Sequence, residues 1–207
     1  MGASTPASYR GIVMSFNTEV ANLALLHLAI TNKTISNLET EKSTEANISR
    51  MFYNIALENV LRDYSWPFAT KFTTLALIEE NPNEEWLFSY RYPTDCIRIK
   101  RMVSGLEEIS VSDRIVYKIA SDSSGRIILS NQEKAQIEYV KKIDDPSLMT
   151  PDFVMAFSFK LAHYMAPSLT AGDPFKLGDR ASQNYELEIS QARSNAFNEE
   201  QPSSSYE

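Results

Sequence analysis

The chain reads as an α+β fold: a four-helix bundle, two helices N-terminal and two C-terminal, with an inserted antiparallel β-sheet or barrel-like region. Three observations predict it. Apolar residues recur at helical spacing in four stretches, two before residue 70 and two after residue 150. Between them, residues 71–143 change to short runs rich in β-branched and aromatic residues, separated by turn residues. At the changeover stands Trp66-Pro67-Phe68-Ala69. Pro67 disfavours helical dihedrals just before it, so the second helix stops near Tyr64 or Ser65, and Trp66 and Phe68 turn into the core. The implied division is a helical bundle domain from residues 1–70 and 150–198, an inserted β domain at 71–149, and a flexible C-terminal tail at 199–207.

Residues 1–14 hold Ser, Thr, Pro and Gly and read as an extended arm. The first helix is expected from Asn17 or Thr18 to Thr31, with Asn17 as N-cap and Glu19 favourably placed in the first turn. Val20, Leu23, Ala24, His27 and Ile30 repeat along one face, and Leu25, Leu26 and Leu28 widen it. Residues 32–37 read as a loop. Ser43 or Thr44 starts the second helix, whose Ile48, Met51, Phe52, Ile55, Ala56, Val60 and Leu61 recur at three- and four-residue steps. Tyr53, Leu57 and Tyr64 flank that stripe. A face so wide should touch more than one partner element, within the chain or across a subunit boundary.

From Lys71 the period shortens. Phe72 to Leu77 is strand-like, Asn81-Pro82-Asn83-Glu84 is a turn, and Glu85 to Tyr92 forms the next strand, ended by Pro93. Cys96 to Val103 alternates Ile97 and Ile99 against Arg98 and Lys100, as a half-buried strand does. Arg114 to Ala120 and Arg126 to Leu129 bracket a hairpin turn at Ser121-Asp122-Ser123-Ser124-Gly125. Ala135 to Lys142 supplies one more strand, giving a meander of five or six, closed by Asp144-Asp145-Pro146. The third helix, Pro151 to Ala166, is apolar nearly all round and too short for a membrane, as suits the centre of a bundle. The fourth starts near Pro174 and runs to about Asn198, with Ala181, Tyr185, Ile189, Ala192 and Ala196 on one narrow face.

Composition sets the function classes. With 207 residues, 43% hydrophobic and 23% charged, the chain can bury a real core. A net charge of −7 argues against phosphate-backbone binding by the isolated chain. Residues 150–207, with 4 basic and 8 acidic side chains, are the acidic end. The single cysteine, Cys96, excludes an internal disulfide and suits a reducing assembly environment. No apolar run reaches membrane length, the N-terminus lacks a signal-peptide layout, and Pro6 stands where a myristoylation start needs Ser or Thr. A soluble protein that is not exported is expected.

Candidate chemistry is thin. His27 and His163 are the two histidines, on separate helices, and neither has a Glu or Cys at ligand spacing on its own helix. Core or interface histidines are expected, and no metal. Asp95-Cys96 has no base signalled beside it, so Cys96 reads as a small buried apolar residue. Glu79-Glu80 and Glu84-Glu85 read as a charged hairpin tip, and Ser123-Ser124-Gly125-Arg126 as turn chemistry. No phosphate-binding or dinucleotide-binding glycine spacing exists, and neither a cofactor nor catalysis is expected. The aromatic content is more suggestive. Trp86, Phe88, Tyr90 and Tyr92 share one parity, hence one face of a strand. That face packs on the bundle or makes a subunit contact, since aromatics are enriched in interfaces.

Taken together, several stretches resemble the tail tubular protein A family of phage head-to-tail adaptors from short-tailed phages. They are Glu19-Val20-Ala21-Asn22, Ala24-Leu25-Leu26-His27-Leu28, Leu61-Arg62-Asp63-Tyr64-Ser65-Trp66-Pro67-Phe68-Ala69, Glu85-Trp86 with Tyr90, and Tyr92-Pro93-Thr94-Asp95-Cys96. The similarity covers residues 15–198 in order; the Trp-Pro-Phe-Ala and Pro-Thr-Asp-Cys pair carries most of its specificity. One departure is Ala29-Ile30, where a glycine is expected to end the first helix.

The resemblance implies a structural virion protein, made in the host cytoplasm and sited at the head-tail junction. It would form a ring of typically about twelve copies beneath the portal, extend the DNA channel and receive the next tail or nozzle protein. Helices would pack around the ring, the β region would face the tail and the C-terminal segment would reach toward the portal. Genomic DNA would pass without sequence-specific binding, which an acidic wall permits. Trp66, Pro67, Phe68, Trp86, Tyr90 and Pro93 would form the structural joint, and Phe88, Tyr92, Tyr185, Phe197 and Tyr206 are the candidate subunit or portal contacts. Two other readings stand beside it. One is a neck or tail-completion protein of another phage morphology; the other is a cell-envelope hydrolase acting through Glu84, Glu85 or Cys96.

Overall fold

Helix α1 spans Phe16–His27 and α2 spans Thr44–Asp63 in the computed structural model, which describes residues 15–103, 114–143 and 145–199. The extended arm expected at residues 1–14 and the tail beyond residue 199 lie outside those residues. Ser15, in extended conformation, is the N-cap of α1, two residues earlier than expected. Asn17 instead accepts a hydrogen bond from the Tyr53 hydroxyl at 2.7 Å and ties α1 to α2. Ser43 caps α2 by accepting from the Ala46 N–H, which satisfies one of the orphan donors of the first turn. The helix stops at Asp63, with Tyr64 already extended, and Pro67 opens a single 3-10 turn, Pro67–Ala69.

Seven strands follow among the described residues: β1 (Thr70–Thr74), β2 (Leu77–Glu80), β3 (Phe88–Arg91), β4 (Cys96–Val103), β5 (Tyr117–Asp122), β6 (Gly125–Ser130) and β7 (Gln136–Lys141). They make two antiparallel sheets, β1-β7-β4 and β2-β3-β6-β5. The expected single meander and barrel-like closure are therefore corrected. The run from Phe72 to Leu77 is not one strand; it breaks at the buried Leu75 and crosses from one sheet to the other. Strand β4 departs from alternation as well. Its buried residues are Cys96, Ile99 and Met102, because bulges at Ile97 and Lys100 each insert one residue against β7. Ile97 thereby packs on the helical core while Ile99 joins the β core, although the two share parity in sequence.

Asp145 caps a short 3-10 turn, Pro146–Leu148, before α3 (Pro151–Leu169) and α4 (Leu177–Glu199). Asp144 lies outside the described residues. The described residues are α+β with four α-helices, but these do not form a four-helix bundle. In a bundle each helix shares a common core with two neighbours. Here α3 is the hub: α1, α2 and α4 each pack along it, while α1 and α2 hardly meet. The cause is the sequence of α3, which buries Phe153, Ala156, Phe157, Phe159, Leu161, Ala162, Met165 and Ala166 around most of its circumference. A helix apolar on all sides is driven to the middle, and its neighbours need one stripe each. For α4 that stripe is Ala181, Tyr185, Ile189 and Ala192. Gly178 lets α4 start close to α3, since a Cβ there would lie 2.8 Å from the Cβ of Ala166.

The two layers meet along β7. Val140 belongs to the helical core; Ile137 and Tyr139, of opposite parity, belong to the β core. Trp66, Ala69 and Ile143 close the helical side of the seam.

The end of α1 accounts for the missing glycine. Leu28 is the C-cap, Ala29 adopts φ 58°, and the N–H groups of Ile30 and Ala29 bond to the carbonyls of Leu25 and Leu26. This is a Schellman closure with alanine at the left-handed position, where a Cβ is unfavourable. Ala29 is exposed, so no packing is lost on removing its methyl. Ala29→Gly is expected to stabilise the fold by roughly 0.5–1 kcal/mol. The check is urea unfolding: the midpoint rises at unchanged m-value, and a fall in midpoint would mean that the closure is not strained.

Candidate functional site

The residues singled out as a structural joint fall into two aromatic groups. Trp66 is buried, with its Nε1 donating to the Val60 carbonyl at 3.0 Å. Its ring meets Tyr64 and Phe153 edge-on, at centroid distances of 4.9 and 5.0 Å, and Phe68 meets Phe153 the same way at 5.2 Å. The corner is thus clamped by α3, through Phe153, a residue the sequence pattern marks only as one apolar position among many. A cleft of about 230 Å³ opens beside it, lined by Tyr64, Trp66, Pro67, Phe68, Asp152 and Asn195 among others.

The second group lies in the sheets. Tyr90 is buried and donates from its hydroxyl to the Gln132 carbonyl at 2.6 Å, pinning the β6–β7 connection. Pro93 accepts from the Cys96 N–H in the turn before β4. Phe88 and Tyr92 pack in the β core, and Arg126 stacks over the Tyr92 ring at 3.8 Å. Trp86 is buried, and its Nε1 has no hydrogen-bond partner among the described residues. Between the sheets, Leu75, Leu77, Phe88, Tyr90 and Lys134 help line a cleft of about 430 Å³.

Of the candidate contact residues, Tyr185 is turned fully inward. Its hydroxyl donates to Asp63 at 2.7 Å, and Lys160 sits 4.2 Å above its ring and 3.3 Å from the same carboxylate. Burial, followed by the Asp63 carboxylate, raises the Tyr185 pKa well above its ordinary value. This cluster fixes the end of α2 to α3 and α4. The side chain of Phe197, and Tyr206 altogether, lie outside the described residues.

The residues weighed for chemistry have structural partners. The Sγ of Cys96 donates to the Tyr92 hydroxyl at 3.2 Å, and burial pushes the thiol pKa up, which disfavours the thiolate. Burial, then the Cys96 hydrogen bond, pushes Tyr92 up to about 12. His163 donates from Nδ1 to the Gly178 carbonyl at 3.0 Å and anchors the first turn of α4. Ser158 donates to the Met155 carbonyl at 2.8 Å, so its Oγ accepts from His27 Nε2 at 3.0 Å. The His27 ring also stacks on Phe159 at 3.9 Å. Glu79, Glu80, Glu84 and Glu85 are exposed around the β2–β3 turn. Among the described residues, no three of the His, Cys, Asp and Glu side chains are grouped to hold a metal, and no helix is long and apolar enough to cross a membrane.

The sequence pattern marked the α2 stripe as wide enough for a second partner but did not show which apolar residues stay exposed. Met51 and Ile55, one turn apart on α2, are 68% and 51% exposed, so part of the wide stripe faces away from the core. Leu77, Ile78, Val116 and Ile119 are exposed at the edges of the four-stranded sheet. The signal in the sequence is width: α2 carries more apolar positions than one core face can absorb. No protein-family model and no curated protein sequence matches the chain.

Burial holds the His27 pKa below its ordinary value, near 6.5. The unfolded chain then binds the proton more readily than the folded one, and stability rises with pH. The contribution is complete above about pH 6.5 and is lost as pH falls through the lowered folded-state value. Urea unfolding between about pH 7 and 5 should show a decline in the wild type that His27→Gln flattens. Equal slopes in both proteins would mean that His27 is not held neutral.

Proposed function

We propose that the chain is a structural virion protein, a head-to-tail adaptor that assembles into a ring between the portal and the tail and extends the DNA channel. The observation that carries the reading is the distribution of exposed apolar side chains. Met51 and Ile55 lie on the helical layer, and Leu77, Ile78 and Val116 lie on the β layer, far apart in sequence and on separate elements. One small exposed patch is ordinary on a monomer; several on different faces suit a subunit with more than one neighbour. A ring member has two copies beside it and a different ring above and below.

The resemblance of the Trp66–Ala69 and Tyr92–Cys96 stretches to the tail tubular protein A family supplies the kind of ring, with about twelve copies. Both stretches serve the same seam here: Trp66 and Ala69 lie in the helical core, and Tyr92 and Cys96 lie in the β core beside it. The negative net charge suits a wall along which DNA slides without adhering. The partners in this reading are further copies of the chain, the portal ring and the next tail protein.

Mass measurement of the purified chain, alone over a concentration series and mixed with portal rings from the same virus, tests the proposal. A closed multiple of the chain mass is expected, with about twelve copies bound per portal ring. A chain that stays monomeric in both settings overturns the adaptor reading.

A further inference from the structure

The four-stranded sheet ends in two unlike edges. Strand β2 carries Leu77-Ile78-Glu79-Glu80, with all four residues exposed. At the other end, Arg114 and Lys118 flank the exposed Val116, and Ile119 is exposed on β5 beside them. The apolar side chains at the two edges, Leu77, Ile78, Val116 and Ile119, are between 41% and 73% exposed. One edge is therefore apolar and acidic; at the other, Asp122 is paired with Arg91 of β3, which leaves the apolar side chains beside Arg114 and Lys118. Among the described residues, Glu79, Glu80, Arg114 and Lys118 form no ion pair within the chain.

Strand direction adds a second complementarity. The order β2-β3-β6-β5 is antiparallel at every step. With an even number of strands, β2 and β5 run in opposite directions. A second copy placed beside the first in the same orientation thus brings its β5 antiparallel to the first copy's β2, the pairing sense of the rest of the sheet. The N–H and C=O groups that each edge strand turns outward would then find partners.

Charged, short and bulged edges are also how proteins keep sheets from pairing, and β2 has four residues with a bulge at Ile78. Protection alone does not account for opposite signs at the two ends. Acidic against acidic and basic against basic both repel, which leaves acidic against basic as the allowed contact. Nor does protection account for Leu77, Ile78, Val116 and Ile119 left exposed beside the charges.

We propose that the β2 edge of one copy docks on the β5 edge of the next, Glu79 and Glu80 facing Arg114 and Lys118, with the four apolar side chains buried between them. The contact is head-to-tail, so each copy keeps one free edge for the next neighbour, and the series closes when the rotation per copy closes. The inference rests on the self-assembling ring of the preceding section and names the surface that builds it.

Two charge-reversed proteins test it. One is Glu79→Lys with Glu80→Lys; the other is Arg114→Glu with Lys118→Glu. Each alone presents like charges at every junction and should need at least about tenfold higher concentration to assemble than the wild type. Mixed in equal amounts they should assemble again, because each reversed edge then meets an opposite charge on the other protein. The chain carrying all four substitutions should also assemble, which separates a lost contact from a lost fold. If the wild type assembles and either reversed protein assembles equally well, the edge contact is wrong while the ring stands. If neither the mixture nor the fourfold variant recovers, the edges do not face each other and the proposal falls. A wild type that stays monomeric alone and with portal rings overturns the ring reading and the edge contact with it.

Discussion

Both faces of β7 are buried, and the rest of the molecule is arranged around that constraint. Ile137, Glu138, Tyr139 and Val140 are buried in succession, whereas a strand with one wet face would alternate. Val140 enters the helical core, while Ile137 and Tyr139 enter the β core. A slip of one residue would exchange these sets between two cores that cannot accept them. Glu138 makes the register stricter. It is the one carboxylate in the run, and Lys100 and Arg101 of β4 reach it at 2.5 and 2.7 Å. Desolvation pushes its pKa up, but the two cationic hydrogen bonds outweigh that and hold the carboxyl below its ordinary range. Both cations are partly exposed, so solvent screens the triad and its contribution is to specificity more than to stability.

With β7 fixed, the position of the helices follows. Val140 and Ile143 form the floor on which Trp66 and Phe153 meet, and Phe153 lies in the first turn of α3. The corner therefore sets where α3 begins relative to the sheet. From there α3, apolar around most of its girth, draws α1, α2 and α4 onto itself. Tyr185 and Lys160 converge on Asp63 and lock the C-terminal end of α2, next to the corner, into the same arrangement. The 3-10 turn at Pro67 and the aromatic clamp are thus one device: proline opens the turn after α2 has ended at Asp63, and edge-on ring contacts hold the exit angle.

Much of this was legible in the residues. The four helices, the changeover at Trp66 and the burial of Cys96 follow from period and residue type, whereas Tyr185, expected as a subunit or portal contact, is turned inward onto Asp63. What failed was assembly of the parts. A helical period tells which face of α2 is apolar but not which neighbour takes it, so a bundle and a hub around α3 are indistinguishable at that level. Strand periodicity likewise cannot reveal that β1 pairs with β7, about sixty residues away, in preference to its sequence neighbour β2. The bulges at Ile97 and Lys100 had no glycine or proline to announce them. The left-handed Ala29 was half visible: the resemblance pointed to a glycine there, and the backbone has the geometry of one without the residue. For the interaction surfaces, the exposed Ile55 and Val116 are ordinary apolar letters in sequence; their meaning depends on which side of an element faces out.

The charge pattern brings these levels together. At a net charge of −7, free copies repel one another, and in physiological salt that repulsion fades beyond about 8–10 Å. In the proposed edge contact, the opposed signs of β2 and β5 would act inside that distance, with each acidic pair meeting a basic pair and apolar side chains losing contact with water. Long-range repulsion with short-range, direction-specific attraction keeps copies apart until they are held near one another in the right orientation, as neighbours around a ring are. The same balance makes the contact dependent on ionic strength: low salt strengthens both the general repulsion and the local attraction, whereas high salt leaves the apolar part. A fold that satisfies its own cores and leaves residual apolar surface beside unpaired charge would suit the proposed assembly, in which the two unlike edges set the order of joining.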